Sequence, residues 1–407
     1  MTMIFIKDSF TYLMRSIKTL GIALTVASTI GYGSMASAQP VPIKIGVLTS
    51  FSGTLAPVGK QVKMGFELAV KEINAAGGIL GRPIQLLEED DESNPTVAAR
   101  KAEKLLLQDK VDFITGMIHS GASLAVAQIA ERNGKLAATT VSYSSNITGA
   151  MCSPNMFRVS AHAGIQAAAL TAWLTKNVKG LRYVIMTPDY EMGRDAALQF
   201  EAGVKQGGGT VVATIRPPLG AKDFTTYFGE FRAGRPDVLL AMTPGTDTVR
   251  LLTQMRDAGL LSPRLTIAGA AGTVGQGNLE ALQGAAENFL TSASFSPELD
   301  LPQTRKFVAA FTGTNKVPPD LFAADSYSLF WLLKAAAEKA GAFETDRLRV
   351  AMRGMSWDTP SGRRTMRAED HQASLDMVVI RIKGKDFIVV DRVPASMMTI
   401  PDECTKF

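Results

Sequence analysis

Ile43, Ile45, Val47 and Leu48 form a short apolar run, the pattern of a strand buried on both faces of a parallel sheet. The polar turn Ser50-Phe51-Ser52-Gly53 follows. Val58, Val62, Phe66, Ala69 and Ile73 then recur at helical spacing and mark one buried stripe. Gly77-Gly78 stops this helix, and Pro83 opens a strand over Ile84–Leu87. The alternation continues with a helix at Thr96–Gln108, a strand at Val111–Thr115, a helix at Ala122–Arg132 and a strand at Leu136–Val141. A second series starts near Ala163, with helices at Gly164–Lys176, Met192–Gln206, Phe224–Ala233 and Thr246–Ala258. Its strands are Tyr183–Thr187, Thr210–Ile215, Val238–Met242 and Leu265–Ala268. Strands alternating with helices imply βαβ units and parallel sheets. Further helices are predicted at Gln303–Thr312, Ala323–Ala340 and Arg347–Met355. Met377–Ile382 and Phe387–Val393 alternate as a hairpin around Gly384-Lys385-Asp386. The strand, aromatic-containing turn and helix at Ile43 and again at Tyr183 suggest one architecture used twice.

Composition narrows the class. A chain of 407 residues suits two lobes of ordinary domain size. The pI near 9.1 comes from scattered charge without a run of five Lys or Arg, so it reads as solvated surface and not as a nucleic-acid footprint. Lys7, Arg15 and Lys18 precede the apolar stretch Leu20–Ile30, and Ala36-Ser37-Ala38 offers a small-x-small cleavage site. Residues 1–38 therefore read as a signal peptide cleaved after Ala38, placing the mature chain in the periplasm. No Cys follows the apolar stretch to carry a lipid anchor. The two cysteines, Cys152 and Cys404, favour a disulfide in an exported chain, the alternative being two buried thiols.

The pieces IGVLTSFSG, G-K-Q, EINAAGGILGRPI and EEDDESNP resemble the opening of the periplasmic solute-binding proteins of the branched-chain-amino-acid type, the receptor subunits of ABC importers. The resemblance runs through most of the mature chain. It implies the type I Venus-flytrap fold: two doubly wound parallel-sheet α/β lobes joined by three hinge crossings. Placed near Ser160, Leu290 and Trp357, the crossings put residues 41–160 and 290–357 in lobe 1 and residues 161–289 and 358–407 in lobe 2. The implied partners are a small-molecule ligand and the membrane permease subunits of an importer. A monomer is expected, with no nucleic acid, cofactor or metal.

In open parallel sheets, ligands bind beyond the carboxyl ends of the strands. Those ends are Ser50–Gly53, His119–Ala122, Ser142–Ser145, Asp189–Glu191, Thr243–Thr246 and Ala270–Thr273. Gly121 and Ser120 stand where a helix start favours an anion. With Ser144 and Ser145 they could hold a carboxylate without a cationic side chain, as the resemblance implies; the plainer reading is helix capping. Phe51, Tyr143 and Tyr190 are the aromatics able to close over an apolar body. Thr243 and Ala271 complete the candidate set. Amino-acid-binding relatives carry an acidic residue, which pairs with the ligand's ammonium, in the loop that here reads Ala270-Ala271-Gly272-Thr273. A buried ammonium without a counter-charge is costly. The expected ligand therefore has a carboxylate and an apolar or aromatic body but no α-amino group. A branched-chain or other hydrophobic amino acid, an amide, or a ligand-sensing receptor role are the alternatives.

Enzyme chemistry finds no support. Gly53 to Lys60 misses the spacing of G-x-x-x-x-G-K-[ST], and no G-x-S-x-G surrounds Ser120. His162 and His371 are isolated, and three His with two Cys lack metal-site spacing. The acidic run Glu88–Asp91 reads as a surface strand end.

Overall fold

A computed structural model describes residues 40–407 apart from Leu181, Thr399, Ile400, Asp402 and Phe407; the signal-peptide expectation lies outside the described residues. The first lobe opens with strand β1 (Ile43–Thr49), helix α1 (Ala56–Ala75) and strand β2 (Ile84–Asp90). Helix α2 (Pro95–Glu103), capped by Asn94, runs on into a π-turn at Lys104–Gln108, so the predicted single helix changes pitch near its end. Strand β3 (Phe113–Thr115), helix α3 (Ser120–Arg132), strand β4 (Leu136–Thr139) and strand β5 (Met156–Arg158) follow. These strands form one all-parallel sheet in the order β2-β1-β3-β4-β5.

The second lobe repeats the plan. Its elements are α4 (Ala163–Asn177), β6 (Arg182–Met186), α5 (Glu191–Gln206), β7 (Thr210–Ile215), α6 (Phe228–Gly234), β8 (Val238–Ala241), α7 (Thr246–Asp257), β9 (Thr266–Gly269), the single turn α8 (Leu279–Leu282) and β10 (Leu290–Ala293). Strands β7-β6-β8-β9-β10 are parallel and in the same winding order as the first sheet. The shared order turns the suspected reuse of one architecture into an observed topology.

The chain then returns to the first lobe with α9 (Pro302–Asn315) and α10 (Leu321–Ala340), both packed on α1, and with α11 (Thr345–Met352). A three-stranded antiparallel sheet, β11 (Ser356–Thr359), β12 (Gly362–Met366) and β13 (Ala373–Ser374), follows. The hairpin β14 (Met377–Lys383) and β15 (Asp386–Val393) ends the regular structure, with β14 antiparallel to β10, so the second sheet has seven strands. Strands β5, β10, β11, β12 and β13 lie where the hydrophobic pattern indicated none.

One buried ion pair ties β12 to α10 and to the turns after β5 and β10. Arg364 Nη2 donates to Asp325 Oδ1 over 2.6 Å, and both side chains are at most 1% exposed. Arg364 Nη1 also donates to the Val159 carbonyl, and Ser294 Oγ donates to Asp325 Oδ2 over 2.9 Å. Ser294, just beyond β10, and Arg364, on β12, thus meet one α10 carboxylate, while Val159, just beyond β5, accepts from the same arginine. Cys152 and Cys404 form a disulfide across 252 residues of sequence.

Candidate functional site

The carboxyl ends of the two sheets face each other, and the loops leaving them enclose a cavity. The first lobe supplies Leu55 and Val58 after β1, Ile118 after β3, Val141 and Tyr143 after β4, and Phe322 from the first turn of α10. The second supplies Tyr190 and Met192 after β6, Met242, Thr243 and Pro244 after β8, and Ala270–Thr273 after β9. None of these side chains is charged. The free volume is about 30 Å³, enough for roughly two waters. The lobes are in contact here, so a larger solute enters only when they part.

Contact across the cleft is direct. Thr246 N donates to the Thr54 carbonyl over 3.1 Å. The His119 and Tyr190 rings lie 4.8 Å apart at 55°. Ser144 Oγ and Asn146 Nδ2 both donate to Glu191 Oε1 over 2.9 Å. Ser145 donates to Asp195 from its amide over 2.7 Å and from its hydroxyl over 2.5 Å.

Of the residues expected at the site, Tyr143, Tyr190, Thr243 and Ala271 line the cavity. The remaining five do not. Ser120 is fully buried and its Oγ accepts from Ser144 N over 3.2 Å. Gly121 N donates to His119 Nδ1 over 3.1 Å, so a ring already caps the helix start proposed to hold an anion. Ser144 and Ser145 give their hydroxyls to the α5 carboxylates. Phe51 is half-buried, with the Lys63 ammonium 5.7 Å from its ring centre. With the lobes in contact, these five serve in capping, packing and interlobe bonding. The acids considered as ammonium partners are engaged elsewhere: Asp189 with Arg194, Glu191 with Ser144 and Asn146, and Asp247 with Gly220 N and Arg250.

Tyr143 is the polar feature of the wall. It is 7% exposed, and its hydroxyl has no hydrogen-bond partner among the described residues. Burial pushes its ionisation well above the usual tyrosine range, with Asp325 and Asp320 adding to the effect, so it stands as a neutral donor and acceptor. An unpaired buried hydroxyl costs about 1–3 kcal/mol, which a ligand oxygen would recover.

Arg158 holds the loop that carries Tyr143. It is fully buried, and its guanidinium donates to the Ser142 carbonyl over 3.1 Å, to the Ser144 carbonyl, to Thr148 Oγ1 and to Gln372 Oε1 over 2.6 Å. Burial lowers its pKa to about 9, so it remains a cation at neutral pH. No motif marks this arginine, because its partners are two loop carbonyls, Thr148 and the distant Gln372. Leu55, Val58, Ile118, Met192 and Met242 were equally silent, since apolar wall residues look like core.

His119 has its pKa lowered by burial to about 4, which outweighs the pull of Glu191. The folded value lies below the unfolded one, so the unfolded chain takes up the proton first and the contribution of His119 to stability shrinks as pH falls from about 6.5 to about 4. H119N keeps an acceptor at the cap and does not titrate. Relative to H119N, wild type is expected to lose roughly 2–3 kcal/mol between pH about 7 and about 4. Urea unfolding at both pH values reads this; parallel losses in the two proteins would contradict it.

The sequence profile of the periplasmic binding protein family matches residues 42–386. A Leu/Ile/Val-binding protein homolog from Brucella melitensis is 28% identical over 322 residues, covering 79% of this chain and 84% of the relative. A solute-binding protein of an ABC transporter from R. palustris, solved in complex with benzoate, is 27% identical with a TM-score of 0.81, covering 87% of this chain and 97% of that one. A leucine-binding protein from Thermotoga maritima, at 24% identity and a TM-score of 0.78, covers 86% of this chain and 99% of its own and shows the shared fold. Among the described residues no helix is long and apolar enough to cross a membrane, and no group of three or more His, Cys, Asp or Glu is placed to hold a metal. This chain belongs to the periplasmic binding protein family, and the proteins it resembles include solute-binding proteins of ABC transporters.

Proposed function

We propose that this receptor binds a small carboxylate-bearing compound with an apolar or aromatic body and delivers it to the permease subunits of an importer. The observation that carries this reading is a cavity wall free of charged side chains whose one buried, unpartnered hydroxyl belongs to Tyr143. An α-ammonium enclosed there would meet no carboxylate, and a buried charge without a partner is costly. A carboxylate can instead be held by neutral donors, with the unpartnered Tyr143 hydroxyl first among the wall hydroxyls of Tyr190, Thr243 and Thr273. The benzoate carried by the R. palustris relative supports the same ligand class. Closure follows from differential contact, since only the closed form touches the solute from both lobes.

The lobe boundaries at residues 41–160 with 290–357, and 161–289 with 358–407, belong to this proposal. Leu290–Ala293 pairs inside the seven-stranded sheet, which supports a second crossing just beyond the proposed Leu290. Export to the periplasm, cleavage after Ala38 and action as a monomer are parts of the same reading. Isothermal titration with benzoate, 3-phenylpropenoate, leucine and valine tests it. Heat on addition of the aryl acids and none with the amino acids is the expected result; tight leucine binding with silent aryl acids overturns it.

A further inference from the structure

We infer that Phe322 sets the length of ligand the cavity admits. It is the second residue of α10 and is 5% exposed, with its ring on the cavity wall. The ring crosses the cleft and bears on Gly272, in the loop after β9 of the other lobe. A Cβ placed on Gly272 would lie 2.1 Å from Phe322 Cζ and within 2.9 Å of both Cε atoms. Gly272 also has φ +75°, so conformation and contact both favour glycine there. The backbone that carries the ring is capped. Asp320 Oδ1 accepts from Phe322 N over 2.9 Å and from Ala323 N over 3.2 Å, fixing the first turn of α10.

Two consequences follow. The ring occupies the space that a side chain at position 272 would need, so the Ala270–Thr273 loop has no room at this point for an acid facing the ligand. The free volume left beside it is also small, about 30 Å³, so the ring is a stop against which an elongating ligand must press. Phe322 is therefore a specificity residue contributed by a helix start, apart from the strand-end loops that build most of the wall. This assignment rests on the reading of the cavity as the solute site.

The test titrates wild type, F322A and F322L with two ligand series of increasing length. One series is benzoate, phenylacetate and 3-phenylpropanoate; the other is valine, leucine and phenylalanine. In whichever series binds, F322A is expected to shift the preference of the longest over the shortest member by tenfold or more relative to wild type, with F322L intermediate. A uniform change in affinity across the series in a folded variant would overturn the assignment. Should F322A fail to melt cooperatively, the same comparison in F322L decides, with a shift of about threefold expected and none refuting. The choice between aryl acids and amino acids reads the proposed ligand class separately, so the two claims fail independently.

Discussion

Asp325→Ala is expected to lower the unfolding free energy by about 3–5 kcal/mol, because it strands a buried guanidinium. Arg364 is 1% exposed, and Asp325 is the one charge of opposite sign bonded to it among the described residues. Burial pushes the Asp325 carboxyl up while Arg364 and Ser294 hold it back. Removing Asp325 also leaves Ser294 Oγ without its acceptor. Replacing both members with apolar residues, as in D325L/R364M, should cost far less than the single change, since no buried charge remains. Denaturant unfolding of the two single variants and the double variant checks this. Equal destabilisation in single and double variants would show that packing, and not the stranded charge, dominates. The pair also meets groups just beyond β5, just beyond β10 and beside β12, so D325A should loosen these segments together.

Tyr190→Ala is expected to weaken ligand binding by roughly 30–100-fold, about 2–3 kcal/mol, with little change in thermal stability. The ring forms part of the cavity wall from the second lobe and tilts against His119 of the first. Its loss removes apolar contact with the solute and one aromatic contact that exists only while the lobes touch. The folded lobe itself keeps its sheet, because Tyr190 caps the start of α5 without a side-chain bond to it. Titration with the tightest ligand beside a melting curve reads the two effects apart. A loss below about threefold would place the binding energy elsewhere in the wall.

The long elements were legible because their patterns are strong. The run through Ile43–Thr49 is buried along nearly its whole length, and the stripe from Val58 to Ile73 faces inward as its spacing requires. Met156–Arg158 and Leu290–Ala293 were not, since three or four residues carry no period and only their sheet neighbours make them strands. The polar sequences of Ser356–Thr359 and Gly362–Met366 gave no alternation of hydrophobic residues to read. At the cavity, the rule that ligands lie beyond strand ends pointed to Tyr143, Tyr190, Thr243 and Ala271, which line its wall. It could not find Phe322, which enters from a helix start. Nor could it tell a hydroxyl that meets a ligand from one that meets a distant carboxylate: Glu191 and Asp195 stand 47 and 50 positions from Ser144 and Ser145.

The bond between Cys152 and Cys404 makes a covalent ring of the intervening chain, and every strand of the seven-stranded sheet lies inside that ring. Unravelling from the C-terminal end cannot propagate past Cys404 into this sheet while the bond is intact. The denatured chain is confined to conformations that keep two residues 252 positions apart together, a restriction worth roughly 2–5 kcal/mol that a thiol reductant would abolish.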